Sequence, residues 1–521
     1  MEKDFINFLY GKAVLLNESH ILFDMQPNHL DNLTFKQISD FYLSSHMMSY
    51  LKNTYLEFTQ SRGTYFSARC ILEGIALYKL FELGKISKEM IELLKRNYFL
   101  LEYKNYSKDF KLLTTITNYQ TMKKNYTKAI LTYKTILKEY NLKTIKKILN
   151  CRVPFLLGSY SNYEEIILET LGENGLLIYK NLSFVIHPHD SNHIVNSDFS
   201  VFIDYIDFFV VEYLESAPGS SIDKTIEFDL AKYIFHPSLP GVPNPTKNYH
   251  KSLLEQLECL NKIIVAFNKK FTSKNMISDI LNTYKYLFYD LSIDMLIGLP
   301  EQVKMKFKMM IEMFSVFHLF SIKSYDEIQN TQDDIRMLLY THHAIIKSKL
   351  NSNLEYEDEM ELVYTRFKRW ASSDMSLEEF AKKYLTTFGF LIEKSGSVRN
   401  ISNTVNVFLK DLFSDTKNPQ EITNIAIYQL YYAESQMLSH ANGYMINANA
   451  GAWSDDINVM NIIETMLFYM LDSILFQFRL HSKIEGKKYN QLIYVLNKQI
   501  NVLKECFESK QVLYQIPRIA K

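Results

Sequence analysis

The chain has 521 residues, 47% of them hydrophobic and 22% charged, with 58 Lys and Arg set against 58 Asp and Glu. That composition excludes a disordered polymer and supplies core for two or three domains. Zero net charge excludes a global pull toward nucleic acid or an anionic membrane. The 15 Gly and 11 Pro together make about 5% of the chain, where about 12% is usual. Strand-rich folds consume both residues in turns, whereas long helices need few, so the scarcity predicts an all-α fold.

Taken in chain order, the opening segment MEKDFINFLYGK lacks a cationic-then-apolar leader, which predicts a cytoplasmic protein. Thr34-Phe-Lys-Gln37 fits a capping box, in which the hydroxyl takes a backbone N–H and the amide reaches back. Arg69 and Glu73 stand at i, i+4, where they can pair on one helix face. Residues 104–152 carry 12 basic and 2 acidic side chains, either a solvated helix face or a landing strip for RNA or an acidic partner. Ser161-Asn-Tyr-Glu164 fits a second capping box. Tyr179, Ser183 and His187 follow at i, i+4, i+8, again one helix face. His187, His189 and His193 with Asp190 suit zinc, iron or manganese by donor type, yet no partner from elsewhere in the chain is identifiable, so neither metal nor cofactor is expected. A helical stripe is predicted over Phe202, Ile206, Phe209, Val210 and Tyr213.

Five of the eleven prolines fall between Ser216 and His250, where X-Pro steps oppose helix. The expected organisation is therefore an N-terminal helical domain over 1–215, a Pro-rich connector over 216–250 and a C-terminal helical domain over 251–521. Beyond the connector, Ser324-Tyr-Asp-Glu327 and Ser376-Leu-Glu-Glu379 fit capping boxes, and Asn418-Pro419 fits an N-cap followed by Pro at N1. Arg336-Met-Leu-Leu-Tyr-Thr-His342 places a guanidinium and an imidazole within two helical turns. Tyr432, Gln436 and His440 repeat the earlier Tyr, small polar or amide, His spacing. A diverged tandem duplication, with Arg336 to Tyr340 echoing Arg69 to Glu73, would explain both the echo and the midpoint connector. Ile463, Met466, Leu467, Met470, Leu471, Ile474, Leu475 and Phe478 form a helical core stripe, with Glu464, Asp472 and Gln477 outside it. The longest uncharged run, Ser435–Ser454, holds three Asn and two Gly, so no membrane span is expected.

No G-x-G-x-x-G, Walker loop, H-E-x-x-H, G-x-S-x-G or kinase signature occurs, which removes the motif support of most large enzyme classes. The four cysteines lie far apart and read as reduced thiols. Metal-free RNA cleavage needs a base near the 2′-hydroxyl and a cation on the scissile phosphate, roles that His342 and Arg336 can fill. Their spacing resembles the Arg-x(4–6)-His motif of HEPN-type helical ribonucleases, found in bacterial toxins and abortive-infection defence proteins. Met337 stands where that family often has a polar residue. In that family two motifs usually face each other across a dimer cleft, so the resemblance implies a homodimer. The Arg69–Glu73 helix with the later Tyr179, Ser183, His187 and Pro188 helix also resembles an uncharacterised family of bacterial helical domains that read as HEPN relatives. The resemblance covers about residues 40 to 215. It implies a polar cluster of Arg69, Glu73, Tyr179, Ser183 and His187, with His440 as the counterpart in the second half. A polar clasp joining two helices accounts for the same residues without catalysis. The expected function is a HEPN-like defence or toxin-type protein acting as a metal-independent endoribonuclease. The alternative is a non-enzymatic helical scaffold or sensor that binds a partner protein.

Overall fold

The three-to-four-residue recurrence of apolar side chains is realised as long helices. The computed structural model describes residues 34–55, 62–106, 119–186, 247–271, 276–296, 300–321, 375–384, 401–412 and 489–509, with scattered positions over 361–365 and 428–479. Among the described residues 88% are helical and none lies in a strand, so the fold is all-α.

The first half contains α1 (Phe35–Tyr55), α2 (Arg62–Glu82), α3 (Lys88–Tyr106), α4 (Tyr119–Ile136), α5 (Leu142–Asn150) and α6 (Tyr163–Val185). The second contains α7 (Lys247–Lys270), α8 (Met276–Leu296), α9 (Pro300–Ser321), α10 (Leu377–Tyr384), α11 (Ile401–Leu412) and α12 (Asn490–Ser509). Helix α7 starts at Lys247, so the last residues assigned to the connector belong to a helix; residues 216–246 lie outside the described set. The helical stripe predicted over 202–213 and the caps at Ser324 and Asn418 lie outside it as well.

Two caps can be compared with their sequence patterns. At Ser376 the box forms as expected: Glu379 N–H donates to Ser376 Oγ at 3.2 Å, and Ser376 N–H donates to Glu379 Oε2 at 3.0 Å. At the start of α6 the register shifts by one residue. Asn162 is the acceptor for Glu165 N–H at 3.1 Å, and Glu165, not Glu164, reaches back to Ser161 N–H at 2.8 Å. An Asn side chain caps as well as Ser, so the adjacent residue wins the position.

Helix α2 is the centre of the first half, packed between α1 and α6. Gly74 permits the closest part of the α1 crossing, since a Cβ there would meet Leu43 Cδ2 at 2.6 Å. The pairs α7–α12, α8–α9 and α9–α11 build the second half, and α2 and α1 also touch α8 and α9. One hydrophobic cluster runs through both halves, from Phe35 and Leu72 to Phe288, Met310 and Leu467. All eight apolar residues of the 463–478 stripe are buried. Glu464, read from the sequence as lying off that stripe, is buried too, because Gln256 donates to its carboxylate at 2.7 Å.

A polar seam joins the two helical hairpins. Lys306 of α9, fully buried, places Nζ 2.8 Å from Asp290 Oδ2, 2.5 Å from Asp294 Oδ2 and 2.7 Å from Ser49 Oγ of α1. Burial alone would pull the ammonium toward neutrality, but the two aspartates outweigh it and hold the Lys306 pKa above its ordinary value. Gly63 makes room for this group, since a Cβ there would fall 1.6 Å from Asp290 Oδ2. One turn before Lys306, Gln302 donates to Ser45 Oγ at 2.8 Å and contacts His46 Nδ1 at 3.4 Å.

Lys306→Met should cost about 3–5 kcal/mol in urea unfolding, because it leaves two carboxylates buried without their cation. His46 supplies a pH signature. Burial first, then Lys306, depresses its pKa to about 3. A folded-state pKa below the unfolded value means that this contribution is complete above pH ~6.5 and declines as the pH falls toward 3. Between pH 7 and 5 the His46 contribution should fall by about 2 kcal/mol, and His46→Gln should remove that part of the slope in parallel urea titrations.

Candidate functional site

Glu73 lies in the middle of α2 with no exposed surface, so its carboxylate must be satisfied from within the protein. Its own helix supplies Arg69, whose Nε is 3.9 Å from Glu73 Oε1, an ion pair at the long end of contact. Helix α6 supplies the Tyr179 hydroxyl, which donates to the same oxygen at 2.8 Å. The second half supplies His440, with Nδ1 2.9 Å from that oxygen. The imidazole stacks on Tyr163 at 5.6 Å between centroids and 8° between planes, and its side chain is 23% exposed. A single carboxylate oxygen thus collects groups from three parts of the chain.

The electrostatics fix the protonation pattern. Burial pulls the Glu73 pKa up, but His440, Arg69 and the Tyr179 hydroxyl together outweigh it and leave the carboxyl below its ordinary value. His440 is also lowered: burial is the largest cause, Arg69 and Lys308 add to it, and Glu73 opposes. At neutral pH the pair is therefore a carboxylate beside a neutral imidazole. The contact assigns the proton to Nδ1, which donates to Glu73 and leaves Nε2 as the basic nitrogen. Lys308 of α9 lies within the field of Arg69, Arg152, Glu73 and Glu312, and burial lowers its pKa. A neutral imidazole oriented by a buried carboxylate, with cations nearby, can transfer a proton beside an anionic group.

Arg69, Glu73, Tyr179 and His440 are brought together. Ser183, one turn past Tyr179 on α6, hydrogen-bonds neither Glu73 nor His440. Arg336, His342 and His187 lie outside the described residues, as do His189, His193 and Asp190. Among the described residues no group of three or more His, Cys, Asp or Glu side chains could hold a metal ion, and no helix is long and apolar enough to cross a membrane.

Sequence reasoning picked out Tyr432 but passed over Tyr163, Lys308 and Glu312. Tyr432 donates its hydroxyl to Glu312 Oε1 at 3.1 Å, as Tyr179 does to Glu73, and Lys308 precedes Glu312 by four residues as Arg69 precedes Glu73. Lys308–Glu312 thus carries the carboxylate for the second Tyr; the segment Arg336 to Tyr340, which the sequence echo set beside Arg69 to Glu73, lies outside the described residues. The signal was available as a Lys-x-x-x-Glu spacing, but that spacing recurs on ordinary solvated helices. A diverged tandem duplication would account for the parallel.

No family model, curated protein or solved structure matches the chain. Tyr179→Phe, which removes one bond to a buried carboxylate, should lower stability by about 1.5–3 kcal/mol. In a double-mutant cycle with His440→Asn, the two changes should couple by more than about 0.5 kcal/mol, since both partners meet at one oxygen. Additive losses would mean that the shared contact has no energetic weight.

Proposed function

We propose that the chain is a metal-independent endoribonuclease of the HEPN-like, defence or toxin type, with His440 as a proton-transfer group. The supporting observation is the Glu73–His440 pair: a carboxylate orients a neutral, partly exposed imidazole, with Arg69 and Lys308 close by. In the reaction, the 2′-hydroxyl loses its proton to a base and attacks phosphorus. The P–O5′ bond breaks, and an acid protonates the leaving 5′-oxygen. Products are a 2′,3′-cyclic phosphate and a 5′-hydroxyl. His440 Nε2 fits the base, and the cations suit the phosphate's charge. Arg336 and His342 carry the family's motif and are candidates for the phosphate cation and the second imidazole.

The second reading, a helical scaffold that binds a partner protein, is favoured by the burial of Glu73 and Arg69, which are 0% and 3% exposed. On that reading the same contacts are a clasp between helices. Incubating RNA with the full chain in chelator separates the two. Cleavage leaving cyclic phosphates is expected, with His440→Ala about 10²–10⁴-fold slower at unchanged helicity. Arg336→Ala and His342→Ala should be impaired similarly. RNA left intact with and without divalent metal, or cleavage indifferent to all three substitutions, hands the site to the scaffold reading.

A further inference from the structure

Away from Glu73, helices α7 and α12 lie side by side and antiparallel. The C-terminal end of α7 meets the N-terminal end of α12, where Phe271 packs on Tyr489 at 6.3 Å and Lys270 Nζ sits 5.2 Å above the Tyr489 ring. Their outer faces enclose an open cavity of about 530 Å³. In a chain of zero net charge, this groove concentrates four lysines, Lys262, Lys269, Lys270 and Lys498, against one carboxylate, Glu258. Glu258 is occupied by Lys262 at 2.5 Å. Lys269 and Lys498 are exposed on opposite walls, and no carboxylate among the described residues pairs with either. A fifth cation adjoins the groove, since Lys285 of α8 donates to the lining residue Asn261 at 3.0 Å.

The rest of the lining narrows the ligand. Tyr494, one turn before Lys498, leaves 66% of its surface to solvent, a large exposure for an aromatic ring set between lysines. Amides of Asn261, Gln491 and Gln499 complete the polar surface. Lysines suit phosphates, an exposed aromatic face suits an unstacked base, and amides suit base edges. Apolar atoms make most of the lining surface, but the excess of lysines over carboxylates favours an anionic strand over an uncharged helix face.

We propose that the α7–α12 groove binds single-stranded RNA, with a base on Tyr494 and phosphates on Lys269 and Lys498. It is a site separate from the Glu73–His440 cluster and from the basic segment over 104–152. The inference rests on the ribonuclease reading for its role, holding substrate away from the cleavage point, but its test reads binding alone.

Fluorescence anisotropy with a fluorescein-labelled twelve-residue oligouridylate, in chelator, checks it on the full chain carrying His440→Ala. Binding should weaken as salt rises, because phosphate contacts release counterions. Lys269→Glu with Lys498→Glu should weaken it more than tenfold, and Tyr494→Ala about tenfold. All three positions are exposed, so circular dichroism should be unchanged. Lys143→Glu with Lys146→Glu, on exposed positions of α5, is the control and should have little effect. The inference fails if oligouridylate does not bind, or if only the α5 control weakens binding. It also fails if polyglutamate binds with the same lysine dependence while oligouridylate does not, which would mark an acidic protein partner. Groove binding without cleavage by the unsubstituted chain would retain this site and remove the ribonuclease reading. Cleavage with groove variants unaffected would do the reverse.

Discussion

A carboxylate without access to water dominates the arrangement of this protein. Glu73 lies in the middle of a helix buried along most of its length, and an ionised group there is tolerable only when several donors converge on it. Arg69 comes from the same helix and Tyr179 from the neighbouring one, but His440 comes from 367 residues away. Satisfying Glu73 therefore pins the late part of the chain against the early part. Burial at that position lowers the imidazole's basicity even though Glu73 opposes it, and the Glu73 contact fixes its tautomer, so the same place in the fold shapes both the packing and the chemistry.

Lys306 poses the converse problem with the same solution. It is a buried cation whose anions lie on the preceding helix and whose hydroxyl partner, Ser49, lies in the other half. Each half thus holds a buried charge that also takes a hydrogen-bond partner from the other. Apolar contacts alone would let the hairpins slide, because hydrophobic attraction is not directional. Hydrogen-bonded charges at 2.5–2.9 Å do not tolerate sliding, so the seam fixes the register of the contact.

Much of the fold was legible because helices are encoded locally. The scarcity of Gly and Pro, the Ser376–Glu379 box and the 463–478 stripe each report on neighbours within a few turns. The one-residue shift at α6 shows the limit of that code, since Ser161 and Asn162 are both good caps and geometry chooses between them. The buried charges of α9 escaped the sequence for a different reason. Lys304, Lys306 and Lys308 alternate with Met and Phe in a pattern that periodicity cannot assign to a face, and the partners of Lys306 lie on other helices. Of the site, the Arg69–Glu73 spacing and the two Tyr helices could be picked out as residues. Their meeting at one oxygen could not, because no local pattern specifies a contact across hundreds of positions.

Gly172 shows how far such a meeting depends on a residue outside it. On an unbroken helix, Tyr163 and Tyr179 would stand ~24 Å apart along the axis and ~160° apart around it, facing nearly opposite ways. Yet one stacks on His440 and the other reaches the carboxylate that His440 touches. The backbone of α6 departs from helix at Gly172, with φ 73° and ψ −171°, a region open almost solely to glycine. No atom lies within 4 Å of a Cβ built there, so the constraint on this position is purely torsional. A side chain would fit the space and still forbid the bend. The pivot is therefore invisible to any survey of contacts, and a single-methyl change at a solvent-facing position could unmake the site while leaving every residue that composes it in place.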